Sequence, residues 1–480
     1  MAVRKSFSRF VAPGVLIVLV ACSKASERGA DPRATPEVTP TAHAATSVVT
    51  PAVTPLLLPP SPSAVGPRFA TGTDIPTLTW TQASAAGSTV TILLSQQLKH
   101  GWTAPRVMAQ GPRILANWAD VPAAHELPSG KWILAYPERR REGGRDYGMV
   151  VARFDRAFQP LGEWTPDDVT RGPETGFVDV VGDADGATLF WLDGRQMEPH
   201  DQSTGTAPPE RSGHSMSSKH SGHGAGVMTL RALHVDGEGH PEGASTMVDE
   251  RTCECCKLDG AMGPLGPWVA YRDRDAAERR DIRVTSIRLA PTSREAEVPA
   301  LTITTSLEVH RDGWTMPGCP VNGPALSRSG DRMFSAWFTA ANGEPRVWLA
   351  QSPAHAPSFS TPRRVDLGDP VGRVDLLALD GGELVVTWIE GDPARPGRGR
   401  LLGRLVSRSG ELGPPLHLHD IGIGRDWGFP RASERAGDVT WIWTHADGPH
   451  SSLKGVSLSA EDLRASSSGH ALSPQSNSVG

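Results

Sequence analysis

Leu384-Val-Val-Thr-Trp-Ile-Glu390 is a short β-patterned run that ends in an aromatic and then a polar residue, and it is not unique in the chain. Five other segments have the same form: Trp132-Ile-Leu-Ala-Tyr-Pro-Glu138, Thr188-Leu-Phe-Trp-Leu-Asp-Gly-Arg195, Trp268-Val-Ala-Tyr-Arg-Asp-Arg274, Phe334-Ser-Ala-Trp-Phe-Thr339 and Val439-Thr-Trp-Ile-Trp-Thr-His445. Aligned on Tyr136, Trp191, Tyr271, Trp337, Trp388 and Trp443, they are spaced 55, 80, 66, 51 and 55 residues apart. After each comes a turn and an alternating stretch such as Tyr147-Gly-Met-Val-Val-Ala-Arg-Phe154 or Arg346-Val-Trp-Leu-Ala350. Period-2 alternation punctuated by Gly and Pro marks strands, and no eleven-residue window carries a helical period. Multi-strand repeats of about 50 residues are the signature of propeller blades. The expected fold is therefore all-β, a six-bladed β-propeller. Thr89-Val-Thr-Ile-Leu-Leu94 precedes the first copy and is expected to be the N-terminal strand that closes the ring, removing an exposed edge.

Composition agrees with a turn-rich β protein, with 51 Gly and 42 Pro. The 48 basic and 53 acidic residues nearly cancel, which gives no electrostatic reason to propose nucleic acid as a partner.

The N-terminus reads as a targeting segment. Arg4, Lys5 and Arg9 precede the apolar run Val15-Leu-Ile-Val-Leu-Val20, which is too short to span a bilayer. Leu19-Val-Ala-Cys22 then resembles the lipobox of bacterial lipoproteins, which implies residues 1–22 as signal peptide and a lipidated Cys22. Ser23 in the next position resembles lipoproteins sent to the outer membrane, so membrane contact is expected through the lipid anchor alone. Residues 23–87, rich in Pro, Ala and Thr, are expected to be a disordered tether. Residues 88–462 would form the propeller, expected as a monomer, and 463–480 a disordered tail.

The propeller resembles the sialidase superfamily, whose blades carry Asp-box turns. Ser95-Gln-Gln-Leu-Lys-His-Gly-Trp-Thr-Ala-Pro105 keeps that frame without the Asp. Asn117-Trp-Ala-Asp-Val-Pro122, Trp191-Leu-Asp-Gly-Arg195, Cys253-Glu-Cys-Cys256, Tyr271-Arg-Asp-Arg274, Cys319-Pro-Val-Asn-Gly-Pro324, Trp337-Phe-Thr-Ala340 and Gly372-Arg-Val-Asp375 resemble a group of bacterial sialidase-like (BNR-repeat) lipoproteins. The resemblance implies a glycan ligand in the axial funnel and an exo-glycosidase chemistry of the two-carboxylate or tyrosine type. The chain departs from true sialidases at two points. Asp120-Val-Pro122 stands where an Arg-Ile-Pro-like motif would supply the first of three arginines, and Tyr136, Tyr147 and Tyr271 all sit on or beside blade strands, so no nucleophile is assigned.

Segments entering and leaving each repeat meet around a propeller's axis. They supply the candidate catalytic set Asp120, Asp179, Asp193, Arg195, Arg272, Asp273, Arg373, Asp375 and Arg431. The competing account is that these charges cap turns and pair between blades.

The thiols admit three readings. Cys253, Cys255, Cys256 and Cys319 of an exported domain are expected to form disulfides, and pairing Cys253 with Cys256 and Cys255 with Cys319 gives the largest small ring. The same four residues could hold Zn or Cu(I), or form a redox-active thiol pair beside one bridge. The 80-residue spacing reflects an insertion between two strands of one blade. It carries His200, His214, Met216, His220 and His223, read as a polar loop with copper-type ligands as the alternative. No other cofactor is implied.

Overall fold

The computed structural model describes residues 47–84, 87–166, 174–197, 226–289 and 301–468. Cys22 and the His/Met-rich insertion lie outside these residues. The described chain forms seven antiparallel sheets in succession, so the propeller has seven blades, not six. In each blade the second strand carries the aromatic repeat, and its residues are buried almost without interruption. Leu384–Gly391 is buried at every position, and Arg332–Thr339 at all but the first. A strand packed between two neighbouring blades has no solvent face, which is why these segments read as continuous apolar runs rather than alternating ones. Trp80, Trp191, Trp337, Trp388, Trp441 and Trp443 are among the largest fully buried side chains.

The blade that the repeat count missed is the first. It consists of Ala64–Phe69, Thr77–Ala83 and Val90–Leu98, with Arg106–Gly111 paired to the last of these. Its second strand, Thr77-Leu-Thr-Trp-Thr-Gln-Ala83, carries Trp80 where the other blades carry their aromatic. Trp80 precedes Tyr136 by 56 positions, close to the recurring interval. Thr stands where other blades place Val or Leu, and prolines flank the segment, so its sequence reads as tether. The tether's boundary at 87 is thereby corrected, since 64–83 is ordered sheet. Residues 89–94 are an internal strand of this blade, not a clasp. Closure comes from Thr54–Pro55, which adds a fourth strand to the last blade by pairing Thr54 with Ser457 and Pro55 with Val456.

The remaining blades begin with inner strands Ala123–Glu126, Thr175–Gly182, Asp259–Gly263, Ala325–Ser329, Pro370–Ala378 and Arg431–Arg435, giving blades two to seven. The insertion connects the second and third strands of blade three, Gly186–Met197 and Gly226–Asp236, as its position implied. Ala460–Ser467 is a helix capped by Ser459, whose side chain accepts the Asp462 N–H. Leu463 of this helix is fully buried, so the ordered fold runs past the expected end at 462.

Trp80 is the core of blade one and packs with Ala64, Leu78, Leu93, Ile442 and Leu453. Trp80→Ala is expected to destabilise the protein by about 3–5 kcal/mol, read as a lower urea midpoint. In a disordered tether the same change would leave the midpoint where it was.

Candidate functional site

The inner strands carry the chain from one face of the ring to the other, so residues fall into layers by their position along each strand. Call the face where the chain enters these strands the entry face. Three layers follow from entry to exit.

At the entry face, Trp118 stacks on Phe429 with ring centroids 5.8 Å apart and planes within 5°. The Arg373 guanidinium lies 5.4 Å and that of Arg425 5.9 Å from the Trp118 ring. These residues precede or open the inner strands of blades two, six and seven, so Trp118 reaches across the axis. Phe177, Cys255 and Val321 belong to the same apolar cluster. The open funnel expected here is instead a packed plug.

Beneath the plug, two inner strands are built alike. Gly176-Phe-Val-Asp179 and Gly372-Arg-Val-Asp375 each contain a register shift with a left-handed residue, Phe177 at φ 53° and Arg373 at φ 53°. The backbone N–H freed by each bulge is captured by the preceding blade entry. Asp120 Oδ1 accepts from Phe177 N at 2.8 Å, and Asn322 Oδ1 accepts from Arg373 N at 2.8 Å. Asp120-Val-Pro122 and Asn322-Gly-Pro324 are thus one clasp repeated. Gly176 and Gly372 are required beneath it: a Cβ on Gly372 would collide with the clasping Asn322 Oδ1, and one on Gly176 with the other Asp120 oxygen, Oδ2. Burial pushes the Asp120 carboxyl up to about 7; the Phe177 N–H draws it down and Glu174 raises it further. Arg373 donates to the carbonyls of Gly428 at 3.0 Å and Ile423 at 3.1 Å, and burial lowers its pKa to about 10.

The middle layer is a belt of ion pairs. Arg68 bonds Asp179 and donates to Val178 O at 2.8 Å, while the Gly260 N–H donates to the other Asp179 oxygen. Lys257 reaches Asp259 at 3.3 Å, and Arg431 reaches Asp375 at 3.2 Å. Ala432 N donates to Asp375 at 2.8 Å. Burial raises the carboxyls of Asp179 and Asp375 and lowers the Lys257 ammonium. Three cations therefore face three carboxylates, and the pairing account holds for Asp179, Asp375 and Arg431.

It also holds for the strand-exit candidates. Asp193 accepts the Trp191 indole N–H at 2.9 Å and is gripped by Arg195 at 2.7 Å. Glu390 takes the Trp388 indole in the same way at 2.6 Å. Asp273 pairs with Arg283 at 3.0 Å. Arg272 donates to the carbonyls of Asn322, Arg280 and Phe338. The phenols of Tyr136, Tyr147 and Tyr271 are all pushed above their ordinary value, first by burial.

At the exit end the channel opens into a cavity of about 400 Å³, walled by blades one to four. Its polar wall is Thr71, His125, Glu126 and Asp183, and its apolar wall includes Val180, Ala261 and Met262. His125 is buried, with Nδ1 2.9 Å from the Thr71 hydroxyl. Burial lowers its pKa to about 4, so the imidazole is neutral. Asp183 is committed elsewhere, holding His234 at 3.0 Å and the N–H groups of Asp185 and Gly186. None of the proposed catalytic residues lines this cavity. Sequence reading missed Thr71 and Arg68, which fell in the supposed tether, and His125, which stands two residues beyond the apolar start of an ordinary-looking strand.

The thiols converge at the entry to blade four. Cys255 and Cys319 form a disulfide across 64 positions, joining the entries of blades four and five. The second expected bond is absent: Cys253 and Cys256 are free thiols with Sγ atoms 3.2 Å apart.

No family model matches the chain, and no curated protein matches it. Among solved structures, a protein of unknown function from Dyadobacter fermentans is 13% identical over 72% of this chain and 97% of its own, with a TM-score of 0.44. An α-L-arabinofuranosidase from Fusarium graminearum in complex with an iminosugar inhibitor is 9% identical over 86% of this chain and 99% of its own, at 0.42. Trypanosoma rangeli sialidase in complex with sialic acid is 9% identical over 88% of this chain and 61% of its own, also at 0.42.

The Asp120 clasp makes a pH prediction. Between about pH 4 and 7 the unfolded chain has lost the Asp120 proton while the folded chain keeps it, so rising pH destabilises the fold there. Asp120→Asn retains the accepting oxygen, as Asn322 does naturally, and removes the titration. The variant's urea midpoint is expected to fall less steeply than wild type across this window and to exceed it at pH 8.

Proposed function

We propose that the chain is an exported, sialidase-like propeller, anchored to the outer membrane through Cys22, that binds a glycan-type ligand in the exit-side cavity. The observation that carries the ligand site is the cavity wall. A neutral imidazole, a threonine hydroxyl, the Glu126 carboxylate and strand-end backbone groups face inward beside Val180, Ala261 and Met262. Small numbers of fixed acceptors on an otherwise apolar concave wall suit a sugar ring, whose hydroxyls need acceptors and whose C–H faces need apolar cover.

The wall favours binding over cleavage. A two-carboxylate hydrolase needs one acid and one base or nucleophile flanking the scissile bond. Asp183 is the partner available to Glu126. Burial pushes its carboxyl up, but the bond to His234 and the N–H groups outweigh that and hold it below the ordinary range. It is therefore no proton donor near neutrality, and its oxygens are already taken by His234 and the N–H groups of Asp185 and Gly186, which leaves it poorly placed as base or nucleophile.

Calorimetric titration against sialosides, arabinosides and uronate oligosaccharides tests the site. One class is expected to bind wild type, not to bind Ala261→Phe, and to bind Thr71→Val about 10-fold more weakly, the loss of one hydrogen bond. Binding that survives Ala261→Phe but disappears in Trp118→Ala would move the site to the entry face, and release of free sugar in the same mixtures would restore the hydrolase reading. For the anchor, wild type is expected to incorporate radiolabelled palmitate and partition into detergent, and Cys22→Ser to do neither.

A further inference from the structure

The buried sulfur cluster is used by neither the fold's ion pairs nor the exit cavity. Cys253-Glu-Cys-Cys256 turns between the outer strand of blade three, Thr246–Thr252, and the inner strand of blade four. The turn sends Cys255 outward to Cys319 and the C-x-x-C pair inward together. Cys253 Sγ lies 3.2 Å from Cys256 Sγ and 3.6 Å from Cys319 Sγ, and the three sulfurs fall within 4.8 Å of one another. Cys253 and Cys256 are each 1% exposed.

We propose that Cys253 and Cys256 form a two-thiolate site for a soft monovalent cation of the Cu(I) type, with the disulfide sulfur of Cys319 alongside as a weak third contact. The electrostatics of the surroundings match that ion. Two guanidiniums are buried here, Arg272 at 1% and Arg280 at 2% exposure. Arg280 is offset by Glu254 at 2.9 Å and Glu278 at 3.0 Å. Arg272 makes its hydrogen bonds to carbonyls and lies 4.9 Å from the Trp314 ring; the carboxylate its charge reaches is Asp281, which also accepts the Gly313 and Trp314 N–H groups. A cuprous ion with two thiolates carries one net negative charge, which suits a site beside two buried guanidiniums.

Coordination number selects the ion class. Zn(II) takes four N, S or O ligands in closed sites. Here two thiols are available, and the third sulfur is already bonded to Cys255. Soft sulfur donors select Cu(I). Binding converts two thiols and one Cu(I) into a bis-thiolate complex and two released protons. No electron is transferred and the Cys255–Cys319 bond stays intact, so no reductant is needed.

The test uses the full-length protein, purified without reductant and held anaerobically. Thiol counting after denaturation is expected to give two free thiols in the mature domain. Titration with Cu(I) against a chromophoric cuprous chelator is expected to show one tightly held ion, with X-ray absorption reporting sulfur neighbours and no nitrogen. Cys253→Ser and Cys256→Ser are each expected to weaken binding more than about 100-fold, beyond what losing a hydrogen-bond partner of a ligand costs. A variant in which a short Gly-Ser link replaces residues 200–224 controls for the His- and Met-rich insertion and is expected to retain the ion. No free thiols, or a nitrogen-ligated ion lost with the insertion and kept in both serine variants, would overturn the proposal. The absorption measurement on wild type decides the matter even if a serine variant fails to fold.

Discussion

A strand that lines the axis of a propeller has one edge with no strand beside it, and the buried groups on that edge need partners from elsewhere. This constraint organises the centre of the molecule. At Gly66, Phe177 and Arg373 the inner strand bulges into the left-handed region and turns an N–H out of its own ladder. Thr444, Asp120 and Asn322 respectively receive those donors, each from another blade. Two positions further on come Arg68, Asp179 and Asp375, the members of the ionic belt. A bulge re-aims the side chains that follow it, so one backbone device produces both the blade-to-blade clasps and the charges that cross the axis. Removing one partner of such a buried pair leaves the other uncompensated, at a cost of about 3–5 kcal/mol.

Much of this was legible in the sequence, and the failures have specific causes. Six aromatic strands announced the architecture because a strand buried on both faces reads as a mainly apolar run, broken only by small polar residues such as Ser335 and Thr387. The seventh was hidden because Thr77-Leu-Thr-Trp-Thr alternates like an edge strand while Thr77, Thr79 and Thr81 are fully buried. Their hydroxyls are satisfied by backbone carbonyls of Ile75, Arg68 and Val65. A buried threonine with a local acceptor is invisible to a hydropathy reading.

The site residues divide along the same line. Type and approximate position were readable: Asp120, Asp179, Arg373, Asp375 and Arg431 do lie around the axis. Their partners were not, because the contacts join residues 50 to 111 positions apart. Arg68 is the clearest case. It neutralises Asp179 from a segment assigned to the tether, so Asp179 read as an available carboxylate. Asp193 and Glu390 carried a local signal that was overlooked: each stands two residues after a Trp whose indole N–H it accepts. That spacing marks them as parts of the blade rather than of a site.

The three layers also explain why any function belongs at the ends of the channel. A belt whose three cations face three carboxylates offers an incoming ligand no unmatched charge, and displacing a pair would strand two ions in a poorly solvated interior. The entry plug is equally committed, since Trp118 holds together blades two, six and seven. Unspent chemical capacity remains in two places. One is the exit cavity, which the neutral His125 and Glu126 help to line. The other is the thiol pair, two buried sulfurs in the field of the Arg272 and Arg280 guanidiniums. These places differ in the kind of ligand they suit. The first presents hydrogen-bond acceptors around a volume, and the second presents soft donors around a point, so a sugar and a soft ion would not compete for them.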